Sequence, residues 1–235
     1  MTGLDIFEVL ADFPETRVAL IVARDLETGR ARSPALEAAL AEVEAEVAGF
    51  LAGRPLADLP ELQVWRRAYK AFGVKKTSYR SSVERLLKQV QQDRGLPRVS
   101  NLVDCYNAIS ARHRLPIGAD DLDRVTGTLA FRRARPEDEF FALGAEPAVN
   151  DPPKPDEVVY VDGEKLLCRR WNWYQDARSA TTPATQSAVL TVQWLGGDMP
   201  LEPAVEETCA WLGAHCGART SWAIAEFGTP GVAID

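Results

Sequence analysis

Apolar residues fall in two rhythms along the chain, a helical one through the first half and a strand-like one through the second. After a short amphipathic start, Val18 to Val22 (VALIV) is apolar, β-branched and bounded by charge, and predicts a buried strand. Ser33 and Pro34 supply an N-cap and a first helical position for the Ala- and Glu-rich stretch that reaches Leu51 and stops at Gly53. A second helical pattern covers Val64 to Phe72 and is ended by Gly73. Ser81 or Ser82 caps a third, SVERLLKQVQQDRG, whose Val83, Leu86, Leu87 and Val90 share one face. A fourth is expected over Leu102 to His113.

The pattern then shortens. TLAFRRA alternates as a strand does, and EVVYVDG with EKLLCRRWNWY predicts a hairpin about Asp162 and Gly163, because Asp-Gly between apolar runs is a strong turn signal. SAVLTVQWL predicts another strand, followed by a helix from about Glu202 to Cys216 and a last strand near Ser221 to Phe227. The proline-rich stretch from Glu146 to Glu157 reads as a connecting loop. Helices grouped early and strands grouped late predict an α+β fold, with a mainly antiparallel or mixed sheet packed against helices, as one domain over residues 1–235. No glycine-rich phosphate loop follows a strand, so a nucleotide-binding fold lacks its usual support.

Composition agrees with that picture. At 46% hydrophobic and 26% charged, 235 residues suffice for a proper core. The first residues do not read as a secretory leader, and no apolar stretch approaches the roughly 18 residues needed to span a bilayer. Four scattered cysteines suit reduced thiols. A cytoplasmic protein with no membrane contact is therefore expected.

Charge changes the picture more. A net charge of −7 argues against general nucleic-acid binding, which depends on neutralising phosphates. Yet Trp65 to Arg98 carries ten basic residues against two acidic ones, leaving −15 for the rest of the chain. Such segregation suits a protein that meets a polyanion with one face; a solvated helix surface explains it equally well.

Candidate chemistry is sparse. Neither His113 nor His215 stands in a nucleophile signature, and Cys209, His215 and Cys216 lack a second ligand pair at zinc spacing, so no metal is expected. Asp104 and Asn107, at i and i+3 within NLVDCYNAI, share a helical side among apolar neighbours and must find partners or face a pocket. In RRWNWYQ, strand alternation would put Arg170, Asn172 and Tyr174 on one face and Trp171, Trp173 and Gln175 on the other. The two tryptophans suit either a core face or a stacking platform.

Taken in series, KKTSYRSSVERLL, SNLVDCYNAIS, LPIGADDLDRVTG, LAFRRARPEDEFFALG and RRWNWYQ resemble the tRNA-editing B3/4 domain of the phenylalanyl-tRNA synthetase β subunit, most strongly over residues 65–190. The resemblance implies a trans-acting deacylase that hydrolyses the ester of a mischarged tRNA with a positioned water, and implies neither metal nor cofactor. Its partner is then the acceptor end of an aminoacyl-tRNA. Asn107 matches a pocket asparagine of the family, and with Gln175 and Asp104 forms the expected catalytic set. Asn172, Trp173, Gly118, Asp121, Asp176 and Thr182 are expected to bind substrate, and Lys75, Lys76, Arg80 and Arg85 to contact tRNA. Gly118 stands where the synthetase domain has a histidine. A non-catalytic module of the same fold, binding tRNA, an aminoacyl-adenosine or a protein, is the alternative.

Overall fold

In the computed structural model, residues 1–29, 31–74, 79–196 and 199–235 are described. The elements run β1 (Thr2–Asp5), α1 (Phe7–Leu10), β2 (Arg17–Arg24), α2 (Pro34–Leu51), α3 (Pro60–Ala71), α4 (Ser82–Gln91), α5 (Asn101–His113), β3 (Ile117–Asp121), β4 (Leu129–Arg133) and β5 (Val158–Val161). They continue with β6 (Leu166–Arg169), β7 (Tyr174–Gln175), β8 (Ala188–Trp194), α6 (Leu201–Cys216), β9 (Arg219–Ala225) and β10 (Gly231–Ile234). This is the expected α+β fold, with two sheets instead of one. A four-stranded antiparallel sheet has the order β3-β8-β2-β9, and a six-stranded mixed sheet the order β10-β1-β4-β5-β6-β7, in which β1 and β4 are parallel.

Strand β2 explains the layering. Val18, Leu20 and Val22 point into a core shared with Leu4, Leu129, Phe131, Val158 and Leu167 of the six-stranded sheet and with Trp65 and Tyr69 of α3. Ala19, Ile21 and Ala23 point the other way, against Leu40, Leu87, Leu102 and Leu212 of α2, α4, α5 and α6. A strand buried on both faces must be apolar throughout, which is why its sequence shows no alternation. The order is thus helices α2, α4, α5 and α6, then the four-stranded sheet, then the six-stranded sheet, with α1 and α3 packed against the core between the sheets. Among the described residues no helix is long and apolar enough to cross a membrane.

The helix starts follow their capping signals. Ser33, Ser81 and Ser100 each accept a backbone N–H three residues on, from Leu36, Glu84 and Val103. The second helix begins at Pro60 and not at Val64, because proline at the first helical position forfeits no hydrogen bond.

Two expectations need correction. The sequence pattern predicts no strand over LPIGADD, but Ile117–Asp121 is a strand paired antiparallel with β8, Gly118 opposite Thr191 and Asp120 opposite Val189. The strand expected through RRWNWYQ ends at Arg169. Arg170 and Trp171 take left-handed backbone angles, φ 47° and 64°, and the chain folds back as β7, with Cys168 opposite Gln175. The predicted two-faced alternation is therefore lost, and the two tryptophans part. Trp171 enters the core between the sheets, its ring edge-on to those of Phe13 and Trp65 at 5.0 and 5.4 Å, while Trp173 lies at the surface of a cavity.

Candidate functional site

That cavity, about 300 Å³, opens where β3 and β8 of one sheet meet β6 and β7 of the other, with α4 and α5 completing the wall. Its position follows from strand alternation. Ile117 and Ala119 pack into the helical core, so Gly118 and Asp120 face the space between the sheets, as do Thr191 and Gln193 on β8. Here the apolar filling of that space gives way to a polar network. The Tyr69 hydroxyl donates to Asn172 Oδ1 at 2.9 Å, Asn172 Nδ2 donates to Gln193 Oε1 at 2.9 Å, and Gln193 Nε2 donates to Thr191 Oγ1 at 3.0 Å.

Gln175 Nε2 reaches across from the six-stranded sheet and donates to the Ala119 carbonyl at 2.8 Å and to Asp120 Oδ1 at 2.9 Å. Ser179 Oγ donates to the same carboxylate oxygen at 2.6 Å. Burial pushes the Asp120 carboxyl up to about 7, against the downward pull of these two hydrogen bonds. Burial also raises the Cys168 thiol to about 12 and the Tyr106 and Tyr160 phenols above their ordinary value, so these wall groups are neutral near pH 7. Among the described residues, two buried hydroxyls in the wall, Tyr160 Oη and Ser82 Oγ, have no hydrogen-bond partner. Buried orphans of this kind are costly and mark places where a polar ligand or water is received.

The expected site residues divide. Asn107, Gly118, Asn172, Trp173, Gln175 and Arg85 all line the cavity. Among the described residues the Asn107 side-chain amide has no hydrogen-bond partner, unlike Asn172 and Gln175, whose amides are engaged by the protein. A Cβ built on Gly118 would meet nothing within 4 Å, so the glycine leaves open space in the cavity wall. Arg85, exposed beside it, donates to the Trp173 carbonyl at 2.8 Å and lies 4.9 Å from the Tyr174 ring centre.

The three expected aspartates are not in the cavity wall. Asp104 is buried, pairs with Arg32 and accepts the Val99 N–H at 2.7 Å, so this first-turn carboxylate closes the entry to α5 instead of joining Asn107. Asp121 accepts from Thr185 Oγ1 at 2.6 Å and from the Asp123 N–H at 3.1 Å. Asp176, fully buried, accepts the N–H groups of Phe141 and Arg178 and pairs with the Arg178 guanidinium. Each holds a loop. Thr182 belongs to the turn beside Asp121, its N–H donating to Thr185 Oγ1. Arg80 pairs with the buried Glu84 at 2.8 Å, as does Arg66 at 2.7 Å, so part of the basic segment serves internal neutralisation. Lys75 and Lys76 lie outside the described residues.

Asp120, Tyr160, Thr191 and Gln193 were not singled out by sequence reasoning. The available signal was the period-two pattern of IGADD, in which Ile117 and Ala119 alternate with Gly118 and Asp120; the polar positions hid the strand because they face a cavity and not a core.

Residues 64–199, more than half of the chain, match the family model of the B3/4 domain. Among solved structures the chain is similar to an N-terminal fragment of the phenylalanyl-tRNA synthetase β subunit from Pyrococcus horikoshii, at 13% identity and a TM-score of 0.45, over 92% of this chain and 49% of that one. It therefore spans about half the length of that fragment. No match is found among curated proteins.

Proposed function

Because this chain belongs to the B3/4 domain family, we propose that it is a deacylase acting in trans on the ester bond of a mischarged aminoacyl-tRNA. The observation that carries the reading is the unpartnered Asn107 amide in the wall of a partly desolvated cavity whose other polar groups are held in place by one another. An aminoacyl ester is already activated, so hydrolysis needs an oriented water and a fixed donor for the oxyanion rather than a strong nucleophile. Asn107 is that donor. Gln175 acts one step back, fixing the Asp120 carboxyl and tying β7 to β3. Asn172 and Trp173 shape the wall, and Gly118 leaves room for the amino acid. The acceptor end approaches past Arg85, whose exposed guanidinium suits a phosphate.

Steady-state deacylation of a panel of mischarged tRNAs tests this. Removing one oxyanion donor typically costs about 10²–10³ in kcat, and Asn107→Ala is expected to show that loss with its unfolding free energy changed by less than about 0.5 kcal/mol, since the amide has no partner among the described residues to lose. Gln175→Ala should lower turnover as well. Unchanged rates in both variants would remove these residues from the mechanism. Salt-sensitive tRNA binding by the wild-type protein without turnover would instead establish a binding module.

A further inference from the structure

Asp120 and Tyr160 are both almost fully buried, at 4% exposure each, and both line the cavity. Among the described residues the Tyr160 hydroxyl has no hydrogen-bond partner. Both hydrogen bonds to the Asp120 carboxylate, from Gln175 and Ser179, fall on Oδ1.

Among the described residues no Lys, Arg or His pairs with this carboxylate. On the β5–β6 turn Lys165 is committed to Asp162 at 2.6 Å and to the Arg124 carbonyl. Tyr106 from α5 and Cys168 from β6 face the carboxyl as neutral groups raised by burial. From α4, Arg85 is exposed and bonded to the Trp173 carbonyl. A buried carboxylate without a cation is costly, so below about pH 7 the group holds a proton until a cation arrives. The cavity thus has a carboxyl and a hydroxyl acceptor in its buried wall and a guanidinium at its exposed edge. An ammonium group carries three donors and no acceptor and fits the former; a phosphate fits the latter.

We propose that Asp120, with Tyr160 Oη as a second acceptor, receives the α-ammonium group of the aminoacyl moiety, so that the site selects amino acids with a free amine and rejects N-acylated ones. This rests on the deacylase reading for the rest of the ligand. The amine requirement itself is read by binding.

The probes are the phenylalanine, alanine and serine amides of 3′-amino-3′-deoxyadenosine, which cannot be hydrolysed as esters, each with its amine free and N-acetylated. Titration calorimetry in buffers of different ionisation enthalpy counts the protons exchanged. Below pH 7 the free amine enters charged and drives Asp120 to its carboxylate, releasing close to one proton per ligand at pH 6. Above pH 8 the carboxyl is already ionised and a partly neutral amine, of ordinary pKa about 8, takes a proton up. N-acetylation is expected to weaken binding at least tenfold. Asp120→Asn keeps the shape and the hydrogen bonds from Gln175 and Ser179 but should lose both the preference and the proton release; Tyr160→Phe, which removes only an unpartnered hydroxyl, should weaken binding several-fold.

The assignment is overturned if no probe binds better with its amine free, or if Asp120→Asn retains the preference and the proton release. Hydrolysis of mischarged tRNA and its N-acetylated form separates the two readings. Equal hydrolysis of both leaves the deacylase and overturns the ammonium site; amine-dependent binding with no hydrolysis of either upholds the site and overturns the deacylase.

Discussion

Replacing Trp171 by alanine is expected to cost about 3–5 kcal/mol of unfolding free energy, the range for deleting a large buried aromatic ring. The ring is fully buried between the sheets, in contact with Phe13, Trp65, Phe72 and Phe131. Its backbone, like that of Arg170, sits in the left-handed region that non-glycine residues occupy at a cost of about 1–2 kcal/mol each. Ring burial offsets that cost and decides where the next residues go. With Trp171 anchored inward, Asn172 reaches Tyr69 and Gln193, and its carbonyl accepts the Ser82 N–H at 3.0 Å. Urea unfolding gives the loss directly. A loss below about 1 kcal/mol would mean that the loop is shaped by its hydrogen bonds and not by the buried ring.

The second large effect depends on pH. The Asp120 carboxyl stands at about 7 in the folded protein, against about 3.9 in an unfolded chain. The folded state therefore binds the proton more tightly, and the resulting stability is complete below pH 4 and lost as pH rises through 7. At 1.36 kcal/mol per unit, the loss between pH 5 and pH 8 is about 2–3 kcal/mol. Asp120→Asn removes the titration, so its advantage over the wild-type protein should grow by that amount from pH 5 to pH 8. His215, whose pKa burial lowers, works in the opposite sense near pH 6 but is common to both proteins and cancels. Asp138 and Asp162 are lowered and act only in acid. Parallel stability curves for the two proteins over this range would show that Asp120 carries no proton when folded.

Elements whose local signals agree with their packing were legible in the sequence. The continuous apolar run of β2, the Ser33-Pro34 start of α2, the Ser81 cap of α4 and the Asp162-Gly163 turn all state their structure within a few residues. The four-residue strands β1 and β10 pair with each other from opposite ends of the chain, a contact no local pattern encodes. The reversal at Arg170 was hidden because neither residue is a glycine and alternation continues smoothly across it; a buried ring overrides local preference there. Among the candidate site residues, Asn107 reaches the cavity from α5, whereas the residues after Trp171 reach it only because the chain reverses there and the expected alternation is lost. Local pattern says nothing of which aspartates are already saturated by backbone N–H groups and arginines. Asp104, Asp121 and Asp176 are so saturated; Asp120, one residue before an expected candidate, is not paired with a cation.

The cavity wall belongs to two sheets that are otherwise joined there by few polar contacts, chiefly Gln175 to Ala119 and Asp120 and Asn172 to Gln193. A ligand seated in it becomes a third tie between β3 and β7. Occupancy then stabilises the whole molecule by RT ln(1 + [L]/Kd), and because β8 carries β3 into the doubly buried strand β2, amide exchange should slow in both sheets at once. A probe held only by Trp173 and Arg85 at the cavity's exposed edge would protect the β7 side alone, so exchange measurements distinguish a molecule that has entered from one that rests at the entrance.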